Sequence, residues 1–255
     1  MIAIHQSRHG FTLVEVLVAM TLGMLVLVLA ASMLGRTRDD YERIAGGVAA
    51  EREARAVLTQ LTTDLHSASF HSDSVFERSR ATWPSDRLGF LSLQAPDSQS
   101  PADRIGDLCA IHYYLRDLVI DRKAVRCLMR GVRQSNDTFQ ALRLNQTPTL
   151  FTASARDEPV AFGILAFEAR PQVRNAAGQW QDWQLTMPQA PTALAVRLVI
   201  ARHELTAKLA DSAAWDGSGA AATLLGSPQQ AATNPRLRVY SSLIRFGHPQ
   251  EERGL

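Results

Sequence analysis

"RHGFTLVEVLVAM", Arg8 to Met20, sets a basic pair and Gly10 ahead of an apolar run holding one charge, Glu15. From Phe11 to Leu34, 24 residues contain no Lys, Arg, Asp, Asn, Gln, His or Pro. A helix of that length rises about 36 Å, and a bilayer's hydrocarbon core is about 30 Å, so the segment spans it with some tilt. Three readings compete. A secretory signal cut near "LAAS" (Leu29 to Ser32) would need a shorter apolar core. A plain single-pass anchor leaves Gly10 and Glu15 without a reason. The third reading makes the segment an assembly helix.

Glu15 bears on that choice. A carboxylate in an apolar helix is costly and usually has a partner. Val18, Ala19 and Leu22, one to two turns on, offer no base. A cut after Gly10 would create an α-amine on Phe11, a cation at the depth of Glu15. Between staggered helices, Glu15 of one subunit would then neutralise the amine of its neighbour.

Gly10-Phe11-Thr12-Leu13-Val14-Glu15, followed by an apolar helix, closely resembles the class III signal of type IV prepilins and type II secretion pseudopilins. The resemblance implies that prepilin peptidase cuts between Gly10 and Phe11 on the cytoplasmic side and methylates the Phe11 amine. It implies other pilin or pseudopilin subunits as partners, and the bacterial inner membrane as anchor. Most pilins place a proline in this helix. Here the first is Pro84, so a proline kink is absent, which suits a pseudopilin or minor subunit. Arg8 before the span and Arg36 and Arg38 after it would alone favour the opposite topology; the processing signal puts the leader inside.

The implied organisation is a leader at 1–10, a transmembrane helix at 11–34, an amphipathic continuation at 35–70, and a periplasmic β-rich domain at 71–255. Ile44, Val48, Leu58, Leu61 and Leu65, with Ala54 and Val57 beside them, recur at helical spacing. That face should lie on a globular domain, with the helix ending near His71. Gly46-Gly47 interrupts it as a soft spot or a hinge. Strands are expected at 87–93, 109–115, 124–130, 139–144, 160–170, 180–186, 194–201 and 237–246, with a hairpin turn at "NAAGQ" (Asn175 to Gln179). Residues 211–235 read as a long loop holding a short helical piece. The fold class is α+β, a pilin-like long N-terminal helix packed on antiparallel sheet. "AIHYYLR" and "CLMRG", with "APTALAVRLVI", are similar to the J-type minor pseudopilin and PilW-like minor pilins, which implies two packed sheets.

Net charge is +2 with both signs interspersed, so no basic stripe predicts a nucleic-acid partner. There is no G-x-S-x-G, P-loop, H-E-x-x-H or C-x-x-C, and no enzyme activity, cofactor or metal is expected. The seven histidines are scattered, and "DSAAWDGSG" (Asp211 to Gly219) lacks calcium-loop spacing. Trp180 and Trp183 should face opposite sides of a strand, one of them in the core. Cys109 and Cys127 would stand opposite each other in a hairpin centred on Leu118, a candidate disulfide. In a shifted register they remain two buried thiols. A minor pilin or pseudopilin is the expected function. The rival is a membrane-anchored periplasmic binding or enzyme domain that never polymerises and needs neither Gly10 nor Glu15.

Overall fold

The computed structural model describes residues 12–69, 74–187 and 189–246. Helix α1 runs unbroken over Leu13–His66, through Gly46 and Gly47. Residues up to Ala45 and residues from Gly46 onward form two compact units.

In the first unit, Leu13–Thr37 is long and apolar enough to cross a membrane. Every residue of it is exposed, because Leu, Val, Met and Ala occupy all faces of the helix and nothing in the unit covers them. An all-round apolar helix is stable only in lipid or among other helices.

In the second unit, α1 buries one stripe: Gly46, Ala50, Ala54, Val57, Leu61 and Leu65. Their spacing of three and four residues keeps them on one face. The expected stripe is displaced at its start, since Ile44 and Val48 are 67% and 45% exposed. Gly46 is the first seam residue: a Cβ there would lie 4.0 Å from Arg202 Cβ. The helix stops at His66, one turn earlier than its pattern predicts.

The remaining elements are β1 (Ala68–Ser69), β2 (Val75–Glu77), β3 (Arg87–Leu93), β4 (Leu108–Ile120), β5 (Lys123–Arg133), α2 (Ser135–Arg143), β6 (Glu158–Phe162), β7 (Ile164–Arg174), β8 (Trp180–Asp182), β9 (Ala193–Ala201), α3 (His203–Thr206), α4 (Ser212–Trp215), α5 (Ala221–Leu225) and β10 (Leu237–Arg245). They form two antiparallel sheets. The first is ordered β1-β3-β4-β5-β6, with β2 also on β3; the second is β10-β9-β7-β8. Both sheets and the α1 stripe share one core, with Phe90, Ile111 and Leu128 from the first sheet and Phe167, Leu198 and Ile200 from the second. The outer face of the first sheet is covered by α2 and the turn at Thr147–Phe151. On the second sheet, Leu205, Leu209, Trp215 and Leu225 of the 203–231 segment cover Leu165, Val199 and Leu237.

Three expected strands differ. Residues 139–144 lie mostly in helix α2, whose Ser135, Thr138 and Ala141 are buried on one side. The Ser-Asn-Asp opening at 135–137 is a helix-start signal that outranks the short apolar run after it. The run at 160–170 is two strands: Gly163, at φ +73°, ends β6 and starts β7 in the other sheet. The strand at Trp180 ends at Asp182. Trp180 and Trp183 are both half-buried, and the core tryptophans are Trp83 and Trp215.

Candidate functional site

Gly10 and Phe11, the expected cleavage and methylation positions, lie outside the described residues. Helix α1 begins beside them. The Thr12 backbone N–H donates to Glu15 Oε2 at 2.9 Å and the Thr12 hydroxyl donates to the same oxygen at 3.0 Å. The Glu15 backbone N–H donates back to Thr12 Oγ1 at 3.3 Å. This is a reciprocal capping box, which satisfies backbone donors that the first helical turn leaves orphaned. Glu15 therefore holds the start of its own helix. Among the described residues it has no cationic partner, and its side chain is exposed, open to a charge from outside the chain.

The second unit fastens the end of α1 with a buried ion pair. Asp64, 1% exposed, accepts two bonds from Arg130, Nε at 2.7 Å and Nη2 at 2.9 Å. It also accepts the Tyr113 hydroxyl at 2.5 Å. Burial and the neighbouring carboxylate push the Tyr113 hydroxyl well above its ordinary pKa, so it stays a donor. A bidentate pair fixes rotation as well as distance, so the helix has one seating on the first sheet. Sequence reading passed over this clamp. The available signal was an acid beside Leu65 on the apolar stripe and an arginine two residues after Leu128, on the same strand face.

Arg126 makes a second clamp. Its guanidinium bonds Asp117 at 2.7 and 3.0 Å, Asp216 at 2.7 Å and the Trp215 carbonyl at 3.1 Å. It ties the 211–235 loop, with helices α4 and α5 in it, to the β4–β5 hairpin. The "DSAAWDGSG" stretch is thereby structural: Asp211 caps α4 by accepting from the Ala214 N–H. Among the described residues, no group of three His, Cys, Asp or Glu is placed to hold a metal.

His112 is also buried, on the outer face of the first sheet. It sits in a cross-strand row between Gly89 of β3 and Gly131 of β5. A Cβ on Gly131 would fall 2.0 Å from His112 Cε1, and one on Gly89 would fall 2.6 Å from Phe151 Cδ1. The two glycines thus make room for two rings. His112 Nε2 lies 3.3 Å from Asp157 Oδ2, an ion-pair distance without hydrogen-bond geometry. Burial pushes its pKa down to about 4, so the ring is neutral near pH 7. Burial alone would raise Asp157, but bonds from Arg133, the Ser154 N–H and the Tyr114 hydroxyl outweigh it and hold Asp157 below the ordinary range. Of the other described histidines, His66 and His203 are exposed.

The candidate disulfide is corrected. The β4–β5 hairpin turns at Asp121 and Arg122, both left-handed at φ 48° and 64°, and not at Leu118. Two successive left-handed residues make the tight turn that matches strand twist. The register then sets Cys127 opposite Arg116, and Cys109 opposite Ser92 of β3. Cys109 shares the inner face with Ile111 and Tyr113, whereas Cys127 packs with Tyr114 and Met129 on the outer face. A register change by an odd number of residues moves a side chain through the sheet. Both cysteines are free and buried, with burial raising their thiol pKa values to about 11 and about 12.

No curated protein and no solved structure matches the chain. Residues 5–31 match the family model of the prokaryotic N-terminal methylation motif. That match encloses Gly10, Phe11, Glu15 and most of the exposed apolar helix, and it supports the likeness of this end of the chain to the class III signal peptide of type IV pilins and pseudopilins.

Proposed function

We propose that the chain is a minor pilin or pseudopilin, a structural subunit and not an enzyme. It would join a type II secretion pseudopilus or a type IV pilus-like filament, anchored by one span in a bacterial inner membrane with its sheets in the periplasm. The observation that carries this reading is the methylation motif running into a helix exposed on every apolar face. Processing comes first: prepilin peptidase removes residues 1–10 and methylates the Phe11 amine. Docking follows, as that amine in one subunit and Glu15 in the next neutralise each other. The apolar faces of Leu13–Thr37 then pack among helices of other subunits, which removes them from lipid.

The test is the intact mass and first residue of the protein from its own host. A methylated Phe11 is expected, and Gly10→Val should block cleavage because a branched side chain crowds the cut site. A chain beginning at Met1 or after Ser32 overturns the reading. Glu15→Ala should leave membrane insertion intact and reduce recovery of partner subunits in pull-downs, since it strands a neighbour's amine without its counter-charge. Equal recovery counts against Glu15-guided docking.

A further inference from the structure

Residues 144–157, between α2 and β6, lie as a strap across the outer face of the first sheet. The strap buries Thr147, Leu150, Phe151 and Asp157, and its backbone bonds run to α2 or within itself. Side chains of three strands hold it on the sheet. Arg87 of β3 donates to the Phe151 carbonyl at 2.8 Å, and Arg133 of β5 to the Thr152 carbonyl at 2.7 Å. Arg116 of β4 donates to the Ser154 carbonyl at 3.3 Å. The strap has a single acid, Asp157. Its Oδ1 accepts Arg133 at 2.8 Å, and its Oδ2 accepts the Tyr114 hydroxyl at 2.9 Å and the Ser154 N–H at 2.7 Å.

His112 lies beneath the strap. It is buried, its ring stacks on Tyr114 at 5.4 Å, and among the described residues neither ring nitrogen has a hydrogen-bond partner. The charged groups facing it are Asp157 from the strap, Arg133 from β5 and Arg87 from β3. On its own strand β4 it faces the Tyr114 hydroxyl, and α2, on the same side of the sheet, carries Asp137 and Arg143, both exposed. Arg133 already balances Asp157, and Arg87 is paired with Glu77 of β2. The nearest acceptor, Asp157 Oδ2, is taken twice. A proton on His112 would therefore put an unbalanced charge and two N–H donors where no free acceptor stands.

We propose that His112 is an acid-sensitive latch for the 144–157 strap: when its ring takes a proton, the strap lifts and opens the outer face of the first sheet beneath it. The sheet itself stays, because β4 is fixed by backbone ladders to β3 on one side and β5 on the other. The strap is held by side-chain bonds to its carbonyls and to Asp157, which water can replace, so it yields first. Lifting solvates His112, Arg133 and Asp157 together and uncovers Leu91 and Ala110, which Leu150 and Phe151 cover when it is closed. The sign follows from proton binding. Burial holds the closed ring near 4 against an ordinary 6.5, so between those values the open strap binds the extra proton. Acid thus favours opening by about tenfold per pH unit across that window. This goes beyond the filament reading and holds whether or not the chain polymerises.

The test is amide hydrogen exchange of the full chain in detergent micelles, from about pH 7 to about pH 4.5, with rates corrected for their intrinsic pH dependence. The Thr149, Thr152 and Asp157 amides bond within the strap. Their protection should fall by about tenfold per pH unit below pH 6.5, while protection in β4 and β5 does not follow. His112→Gln should remove this pH dependence. His112→Phe, a ring that cannot titrate, should do the same and decides the matter if His112→Gln fails to fold. If neither folds, an NMR titration of the wild-type His112 ring decides it: a value near 4 supports the latch, and one near 6.5 overturns it. Strap protection that ignores pH overturns the proposal. So does an equal loss in β4 and β5, which would make the transition global. A pH dependence that survives in a folded His112 variant would make Asp157 the trigger and also overturn it.

Discussion

Leu13–Thr37 and Gly46–His66 belong to one helix, yet the first is apolar on every side and the second on one stripe. The difference teaches where each half finds its stability. A stripe at three- and four-residue spacing is answered inside the chain, by two sheets. Uniform apolarity has no such answer in the chain and needs lipid or other helices. The polar groups follow suit. Asp64 is bonded within its own unit by Arg130 and Tyr113, while the exposed Glu15 bonds only the helix start at Thr12.

Asp64→Ala breaks this contrast hardest. It leaves the half-buried Arg130 and the buried Tyr113 hydroxyl without their shared acceptor, so the folded domain should lose about 3–5 kcal/mol in denaturant unfolding. Glu15→Ala should leave that transition where it is. Ala54→Leu sharpens the comparison: Ala54 is 2% exposed in the seam, and overpacking there should lower stability by about 1–3 kcal/mol. Ala30→Leu, on the exposed half, should change nothing measurable in the same assay.

A smaller effect separates the two units by pH. His112 has its folded pKa near 4 and an ordinary value of 6.5. Between those values the unfolded chain binds the extra proton, so stability rises with pH. The contribution of His112 is complete above pH 6.5 and is lost as pH falls toward 4. His112→Gln should flatten the pH profile over that window, measured by denaturation at fixed pH. The difference between the two profiles isolates His112 from Asp86, whose burial raises its pKa and so acts with the opposite sign. The least perturbing test is thiol counting: no rapid labelling in the native state, and two thiols per chain in denaturant without reductant.

The sequence made the first half of α1 legible because apolarity over 24 residues needs no register. The long strands β3, β4, β5, β9 and β10 were legible for a related reason: each is a run of apolar and aromatic residues bounded by turn residues. What failed was everything decided by parity or by one residue. The cysteine pairing turned on where a hairpin reverses, and Asp-Arg at 121–122 gives no glycine signal for that turn. The stripe on α1 was misplaced at Ile44 and Val48 because side-chain size pointed there, while the small residues Gly46 and Ala50 let the seam start two residues later, on a rotated face. The edge at β10 depends on sheet order, which periodicity does not encode.

Gly163 carries a consequence for how the domain unfolds. It is the sole residue between β6 in one sheet and β7 in the other, and its carbonyl accepts the Ala201 N–H at 2.9 Å. A link of one residue has no slack. Neither sheet can detach from the other without dragging the junction with it, so the ten strands behave as one cooperative unit. A protease would find no intermediate with one sheet intact and the other open. A mechanical pull on α1 would be met by both sheets together, and they would yield in a single step.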